Sequence, residues 1–450
     1  MSAGAVSKPG SDPATRWLRR LCSFVVVVAI AEFVIATTGV QIRRLPPSTD
    51  FATYYLAGAQ ARDGLSPYDR SAIAERGHAL GFAYDQYPFL YPPPFAVAMQ
   101  PLAALSYPRA RQVWMLVATL ALLGAVAATA ALAFRQARAL GIEDSRRVWI
   151  VLTAFVPAAL NSTSVHNDIR AGSVGCLLFL LLALAAWIVL ADPAAAERRD
   201  AVQPRGSGRR SAALGLLLAL ATLVKLTPFV LVPWMAWRGA RRAAAIALGL
   251  LALSMAWPLA HWGTGIVPEY WNQVIVPGLR DEVAPPMNQS LDAFLSRLLV
   301  GSALIDSPFD APALKWILSL GIGIALAAAT FRMVLRRRVP AGLLPVEMGL
   351  VLLATLALMK LTWVQTLAAM LWVWPVVMLA ILRAAERDAP WARRVGLVAC
   401  VGFFLSSAHV PILWEPLRHG LAVAVTGVHL IGILLLWSSC FEVLRREVDS

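Results

Sequence analysis

The sequence predicts an all-α protein that crosses a lipid membrane many times, and both its composition and its apolar runs support this fold class. The chain of 450 residues is 59% hydrophobic and 15% charged, whereas soluble domains are about half apolar and about a quarter charged. Leu-, Ala- and Val-rich runs long enough to cross ~30 Å of hydrocarbon recur along the chain. Only helices and closed barrels satisfy their backbone inside lipid. Because the runs do not alternate apolar with polar residues, they predict helices.

The first apolar run follows a basic segment, as it does in a secretory signal peptide. In "RWLRRLCSFVVVVAIAEFVIATTG", however, the apolar stretch is long and no small-residue cleavage site precedes Gln41. We therefore predict an uncleaved first helix. The predicted spans are 21–40, 111–134, 148–160, 171–190, 211–237, 243–260, 312–332, 343–361, 363–383, 394–410 and 422–440.

Basic residues cluster between these runs, and the positive-inside rule converts the clusters into a topology. The clusters lie at 16–20, 135–147, 198–210, 238–242, 332–338, 383–394 and 445–446. All of them fall on the cytoplasmic side only if 211–237 enters and leaves the membrane on the same side. Lys225, Pro228 and Pro233 interrupt that run, which favours a hairpin of two short helices.

This topology makes residues 1–450 a single integral membrane domain with about 11–12 spans and both termini in the cytoplasm. Residues 41–92 and 261–311 then form two large loops on the outer face, and residues 191–210 form a flexible cytoplasmic loop.

Several classes of function are disfavoured by what the sequence lacks. The net charge of +14 is explained by cytoplasmic loops and their contact with anionic membrane lipids, so no nucleic-acid partner is predicted. The four cysteines form no metal-binding or disulfide pattern, and we predict neither a metal nor a cofactor. There is no HExxH motif, Walker loop or nucleophile elbow, which argues against a metalloprotease, an ATP-driven enzyme and a serine hydrolase.

The first large loop combines acidic and aromatic residues. Asp50 is the first acid after the first span, and six of the eight tyrosines lie between Tyr54 and Tyr91. Rings that stack on sugars and carboxylates that hold hydroxyl groups would suit a sugar site, while an interfacial aromatic belt is the alternative. The stretch "DFATYYLAGAQARDGLSPYD" predicts a short amphipathic helix on the outer membrane surface that ends near Gly64. Asp50 begins this helix, so both a cap and a chemical role are open to it.

Two cations stand out elsewhere. Lys225 lies inside an apolar run, where a charge is costly and usually functional. It suits a phosphate, although a side chain that extends to the membrane interface is the alternative. Arg297 follows the polar cluster of "APPMNQSLDAFLSRLL" and either faces a phosphate or pairs with Asp292. Ser290 of that cluster is also a candidate helix cap.

Four segments, taken in order, resemble glycosyltransferase family 87. They are "DFATYYLAGAQARDGLSPYD", "YPPPFAVAMQPLAAL", "LATLVKLTPFVLVPWMAWRGARR" and "NQSLDAFLSRLL", and they span most of residues 50–298. The family includes mycobacterial lipoglycan mannosyltransferases and arabinofuranosyltransferases. The resemblance implies a GT-C-type helical bundle in the bacterial cytoplasmic membrane with its active site facing outward. It further implies transfer of mannose, or a pentose such as arabinose, from a polyprenyl-phosphate donor to a glycolipid or glycan acceptor, with inversion.

The resemblance also assigns roles to residues. Asp50 matches the family's general base, Lys225 is the first candidate and Arg297 the second for the donor phosphate. The sugar or acceptor side would be formed by Tyr54, Tyr55, Tyr91, Asn288, Gln289 and Trp363.

The sequence departs from the family pattern at two places. Gln365 and Thr366 follow Trp363 where many members carry histidines, and "RAGSVGC" replaces a Gly-Gln that opens a middle helix. His166, Asp168 and Gln365 are the candidates to compensate, and the alternative for His166 and Asp168 is that they are solvated loop residues. A non-catalytic lipid or polysaccharide transporter, and a degenerate family member that acts as a structural partner, are the alternative functions.

Overall fold

The computed structural model describes residues 13–39, 49–82, 88–190, 208–280, 284–302, 304–336, 339–411 and 413–449. Within these ranges the chain is helical, and β pairing is limited to isolated bridges. The all-α class is therefore confirmed. The predicted flexible loop at 191–210 lies outside the described residues, apart from its last three positions.

The N-terminal part of the bundle comprises eight numbered α-helices. They are α1 (Pro13–Glu32), which continues as a π-helical turn (Phe33–Thr38), α2 (Thr49–Arg62), α3 (Arg70–Ala79), α4 (Pro93–Ala103), α5 (Tyr107–Ala139), α6 (Ser145–Leu160), α7 (Thr163–Ala171) and α8 (Gly175–Val189).

The second part is broken more often. It comprises α9 (Gly208–Val224), a 3₁₀ turn (Thr227–Val230), α10 (Leu231–Trp237), α11 (Arg241–Ser254), α12 (Ala256–Trp262), α13 (Ile266–Tyr270), a π-helical turn (Trp271–Ile275), α14 (Val276–Arg280), α15 (Leu291–Leu299), α16 (Pro312–Leu335), a 3₁₀ turn (Ala341–Leu343), α17 (Leu344–Leu358), a 3₁₀ segment (Val364–Met370), α18 (Val373–Ala384), α19 (Ala389–Ser407), 3₁₀ turns at Glu415–Arg418 and Gly420–Gly427, and α20 (Val428–Asp449).

Five helical stretches of the described residues are long and apolar enough to cross a membrane. They are Tyr107–Ala139, Arg241–Trp262, Pro312–Leu335, Ala341–Leu358 and Gly420–Glu447. Two bent pairs, α6 with α7 and the 3₁₀ segment with α18, raise the number to seven if each pair is one span. The chain is thus a multi-pass membrane protein. The predicted 11–12 spans exceed this number because several apolar helices are short, such as α8 with 15 residues.

Helix α2 confirms one prediction and corrects another. It covers the predicted segment, and Gly64 follows its end with a φ of +78°, a left-handed conformation that favours glycine. The prediction of an amphipathic helix lying on the membrane surface is wrong, because residues 51–61 are buried on every face of the helix. The reason is close packing against α4: a Cβ added at Gly58 would lie 2.8 Å from the backbone of Met99.

The predicted interruption of the run 211–237 is confirmed. Helix α9 ends immediately before Lys225, and a 3₁₀ turn separates it from α10. Both α9 and α10 pack against α11. The break places the lysine at the end of a helix, where its side chain can enter a polar cluster.

A buried ion pair anchors the other end of α10. Arg238 is 8% exposed and donates through Nε to Oε2 of Glu347 at 2.7 Å, while Glu347 is fully buried. The same guanidinium donates to the carbonyls of Val334 and Arg336 at 3.0 Å each. It therefore satisfies carbonyls at the C-terminal end of α16 that have no partner within the helix.

Candidate active site

Asp50 lies in the first turn of α2 and faces the 3₁₀ segment Val364–Met370. Its Oδ2 accepts a hydrogen bond from Nε2 of Gln365 at 3.3 Å, across 315 positions of sequence. The carboxylate is half-buried, so it lies at a protein boundary rather than deep in the core. The fold thus places Gln365, one of the predicted compensating residues, against the predicted base.

Lys225 contacts the same 3₁₀ segment. Its Nζ donates to Oγ1 of Thr366 at 2.7 Å, and its ammonium interacts electrostatically with Asp50 and Asp168. Two adjacent residues, Gln365 and Thr366, therefore hold a carboxylate and an ammonium group in one cluster. This juxtaposition provides a proton acceptor and a cation for an anionic leaving group.

Aromatic side chains adjoin Asp50 along α2. The hydroxyls of Tyr54 and Tyr91 are 2.5 Å apart and their rings meet edge to face, with 4.8 Å between centroids. Both tyrosines interact electrostatically with Asp50. Tyr55 points elsewhere, because its hydroxyl donates to the carbonyl of Leu105 at 2.8 Å. The structure therefore brings Tyr54 and Tyr91 to the site, but not Tyr55.

Asp168 is fully buried beside this cluster and caps α8. Its Oδ1 accepts from the N–H of Gly175 at 2.6 Å, and its Oδ2 accepts from the N–H of Cys176 at 2.8 Å. A carboxylate at a helix N-terminus satisfies unpaired donors and interacts favourably with the helix dipole. Its charge also adds to the field around Lys225.

His166 has different surroundings from Asp168. Its Nδ1 lies 3.1 Å from the carbonyl oxygen of Ser162, and its ring contacts those of Phe33 and His409 with centroid distances of 6.1 and 5.0 Å. These contacts place it in the packing between α7, the first helix and the C-terminal part of the chain. Asp168 is the member of the pair that joins the polar cluster.

Gly175 makes the closest backbone approach in the site. A Cβ at this position would lie 2.3 Å from the carbonyl oxygen of Gln365 and 2.7 Å from Oδ1 of Asp168. From the sequence, "RAGSVGC" stands out only as a departure from the family pattern. The structure shows why Gly175, the first residue of α8, is a glycine.

We expect Gly175→Ala to lower the free energy of unfolding by about 1–3 kcal/mol, because overpacking a dense site forces the backbone to move. The contact between Gln365 and Asp50 should be disturbed as well, since the backbone of Gln365 would have to move. Thermal unfolding of the detergent-solubilised protein measures the first effect. Gly124→Ala is the matched control, because its Cβ would meet only the flexible end of Leu180 at 3.2 Å. Equal melting temperatures for both variants would contradict the steric argument.

The polar side chains of "APPMNQSLDAFLSRLL" form hydrogen bonds with other parts of the protein. Asn288 is fully buried, donates to the carbonyl of Lys360 at 2.8 Å and accepts from the N–H of Thr362 at 2.9 Å. Gln289 is also fully buried and donates to the carbonyl of Thr426 at 2.8 Å. An isolated β-bridge joins Asn288 to Trp363. These contacts fix the backbone that leads into the 3₁₀ segment of the site.

The hydrogen-bond partners of Arg297 are also groups of the protein itself. It is fully buried, and its guanidinium donates to the carbonyl of Asn288 at 2.7 Å and to Oγ1 of Thr426 at 3.0 Å. The alternative pairing with Asp292 is wrong, because Asp292 binds Lys315 at 2.8 Å and Lys360 at 3.3 Å. Ser290 does cap α15, accepting from the N–H of Ala293 at 3.1 Å. Of the two predicted phosphate ligands, Lys225 is the one in the polar cluster with Asp50.

Within the described ranges, no group of three His, Cys, Asp or Glu side chains is arranged to hold a metal ion. Sequence reasoning missed the contacts of Thr366 and the role of Gly175. The sequence signal for Gly175 is its position: a small residue that follows Asp168 at short range and begins an apolar helix.

Comparison with known proteins connects this sequence to a family. The family model described as glycosyltransferase family 87 matches residues 89–359. That range includes Lys225 and ends before the 3₁₀ segment, while Asp50 precedes it.

Two curated proteins are similar over most of the chain, and both are named polyprenol-phosphate-mannose-dependent alpha-(1-2)-phosphatidylinositol mannoside mannosyltransferase. The protein from Mycolicibacterium smegmatis is 27% identical over 357 residues, which cover 77% of this chain and 73% of that protein. The protein from Mycobacterium tuberculosis is 28% identical over 408 residues, covering 87% and 82% respectively.

Proposed function

The chain belongs to glycosyltransferase family 87, and on this premise we propose that it transfers mannose from a polyprenyl-phosphate donor to a hydroxyl of a glycolipid or glycan acceptor. The choice of mannose and of a lipid-linked donor is supported by the two mycobacterial relatives, which are named for both. The observation that carries the proposal is the joint placement of Asp50 and Lys225 by Gln365 and Thr366.

In the proposed mechanism Asp50 is the general base. Its carboxylate accepts the proton of the acceptor hydroxyl as that oxygen attacks the anomeric carbon of the donor sugar. The bond between the anomeric carbon and the phosphate oxygen breaks, and polyprenyl phosphate leaves with the bonding electrons. Attack opposite the leaving group inverts the anomeric centre. The hydrogen bond from Gln365 orients the carboxylate for this step.

Lys225 is proposed to stabilise the negative charge that develops on the leaving phosphate. A cation held in a fixed position stabilises such charge without the reorganisation that water molecules would need. Thr366 fixes the ammonium at 2.7 Å. No nucleotide is needed, because phosphate bonded to the sugar is already a good leaving group.

The sugar-binding surface is proposed to include half-buried Tyr91 and half-buried Trp363, which directly precedes the 3₁₀ segment. Tyr54 is fully buried and is proposed to position Tyr91 through the hydrogen bond between their hydroxyls. Tyr55, Asn288, Gln289 and Arg297 are proposed to support the site from behind through their backbone contacts. The site is proposed to face outward from the bacterial cytoplasmic membrane, opposite the basic clusters.

The donor preference tests this function. The purified full chain is reconstituted in lipid vesicles and supplied with polyprenyl phosphate mannose or polyprenyl phosphate arabinose, together with a phosphatidylinositol mannoside acceptor. We expect labelled mannose in the glycolipid product and inversion at the anomeric carbon. Transfer of arabinose alone would contradict the proposed sugar. Absence of transfer from both donors would favour the transporter or structural-partner alternatives.

A further inference from the structure

An open cavity lies beyond the end of α2 opposite Asp50. Its volume is about 410 Å³, and it is lined by side chains between Ser66 and Ser71 and by Glu269 and Gln273. This volume falls in the range of small-molecule sites. Helix α2 rises by roughly 18 Å between Asp50 and Arg62 at 1.5 Å per residue, so the cavity is separate from the reacting centre.

The cavity is lined largely by polar side chains, and two of them form hydrogen bonds to one carboxylate. Oε1 of Glu269 accepts hydrogen bonds from Oγ of Ser66 at 2.7 Å and from Nε2 of Gln273 at 3.3 Å. These two bonds hold the carboxylate in a fixed orientation at the cavity wall. Hydroxyl, amide and carboxylate groups placed in this way offer both donors and acceptors to a ligand.

The charges of the cavity favour a neutral ligand over an anion. Asp69 and Glu269 contribute two carboxylates and Arg70 one guanidinium, so the lining is negative in sum. Asp69 stays ionised, because hydrogen bonds from the Ser71 hydroxyl and the Ala72 N–H lower its pKa below the usual value. A lipid phosphate would be repelled, and an apolar prenyl chain would leave these groups desolvated.

A row of packed tyrosines lies between this cavity and the base. Tyr68 lines the cavity, and its hydroxyl donates to the carbonyl of Tyr91 at 2.8 Å. The hydroxyl of Tyr91 in turn meets that of Tyr54, one helical turn from Asp50. The three rings thus connect the cavity wall to the reacting centre.

Tyr270 packs behind Tyr68, which lines the cavity. The ring of Tyr270 packs against that of Tyr68 with 5.5 Å between centroids. Its hydroxyl oxygen is buried and makes no hydrogen bond to the described residues. A buried hydroxyl without a partner is costly, but Tyr270 does not line the cavity, so we assign it no ligand contact.

We propose that the cavity between Ser66–Ser71 and Glu269–Gln273 is a carbohydrate subsite that binds the non-reacting sugars of a glycan-bearing acceptor while the reacting hydroxyl lies at Asp50. The inference rests on the proposed function, because a sugar transferase is what brings a glycan to this face of the molecule. It adds to that function a preference for long acceptor glycans over short ones.

The test compares acceptors of two lengths with the full chain in vesicles and one fixed donor, polyprenyl phosphate mannose. The probes are octyl mannoside and octyl mannotetraoside. For the unsubstituted protein we expect a lower KM for the tetraoside. Glu269→Gln should raise the KM for the tetraoside about tenfold, the effect of weakening a hydrogen bond to a charged group. The KM for the monosaccharide and kcat for both acceptors should stay unchanged.

Controls separate this inference from folding effects and from the proposed function. Glu75→Gln changes an exposed carboxylate of α3 outside the cavity and should alter neither KM, and an unchanged melting temperature shows that Glu269→Gln is folded. Equal KM values of the unsubstituted protein for both acceptors, or equal changes in both KM values in Glu269→Gln, would overturn the subsite and leave the transferase intact. Transfer to neither acceptor by the unsubstituted protein would overturn the proposed function and the subsite with it.

Discussion

Asp50→Asn is expected to lower kcat by about 10²–10⁴-fold, the usual contribution of a general base, with little change in the KM for the donor. The amide has nearly the same shape as the carboxylate, so the packing of α2 is retained, but it does not take up the proton of the acceptor hydroxyl. Initial rates of mannose transfer at saturating donor measure the effect.

Asp63→Asn is the matched control for this prediction. Asp63 follows the C-terminal end of the same helix and pairs with Arg76 at 2.8 Å. The hydrogen bond from Arg76 lowers the pKa of Asp63 below its usual value, so the control also removes a carboxylate that is charged at neutral pH. Its activity should match that of the unsubstituted protein. If Asp50→Asn keeps full activity as well, Asp50 is not the base.

The region around Asp50 shows how far the sequence alone predicts this fold. The apolar run, the following acid and the glycine at position 64 predicted the position of α2 and its end correctly. The prediction that α2 lies on the membrane surface was wrong. A helix with small residues on several faces can pack against neighbours on all of them, and the sequence does not show that α4 packs against Gly58. Burial of this kind depends on contacts between distant parts of the chain.

The same limit applies to the site. The cost of a charge in an apolar run singled out Lys225 correctly for attention, and the fold places it near Asp50. The contact of Asp50 with Gln365 spans 315 positions, and no local pattern predicts such a pairing. Gln365 first stood out only as a replacement for a histidine.

For Arg297 and Asn288, unlike Lys225, the structure favours a structural role over the predicted ligand-binding role. Polar side chains suited to binding a ligand are equally suited to holding backbone carbonyls, and the sequence pattern is the same for both uses. Full burial with protein partners at 2.7 and 2.8 Å favours the second use for these two residues. Their contacts position the loop that carries Gln365 and Thr366, so they act on the site through its backbone.

Lys225→Met is expected to lower kcat/KM for the polyprenyl-phosphate donor by about 10²–10³-fold, comparable to the loss of one charge-stabilising donor in other enzymes. The methionine keeps most of the apolar stem but removes the cation proposed to face the leaving phosphate. The KM for the acceptor should stay unchanged, because the acceptor binds on the Asp50 side. Rates measured over a range of donor concentrations separate these parameters.

Two further variants distinguish charge from packing at this position. Lys225→Arg retains the cation and should recover part of the activity, and Thr366→Val removes the 2.7 Å hydrogen bond and should have a smaller effect than Lys225→Met. Lys360→Met removes a cation that binds Asp292 instead of the site cluster, so kcat/KM for the donor should be retained. If Lys225→Met leaves kcat/KM for the polyprenyl-phosphate donor unchanged, or raises only the KM for the acceptor, Lys225 is excluded from the phosphate site. The leaving phosphate would then be stabilised by a different hydrogen-bonding group near Asp50.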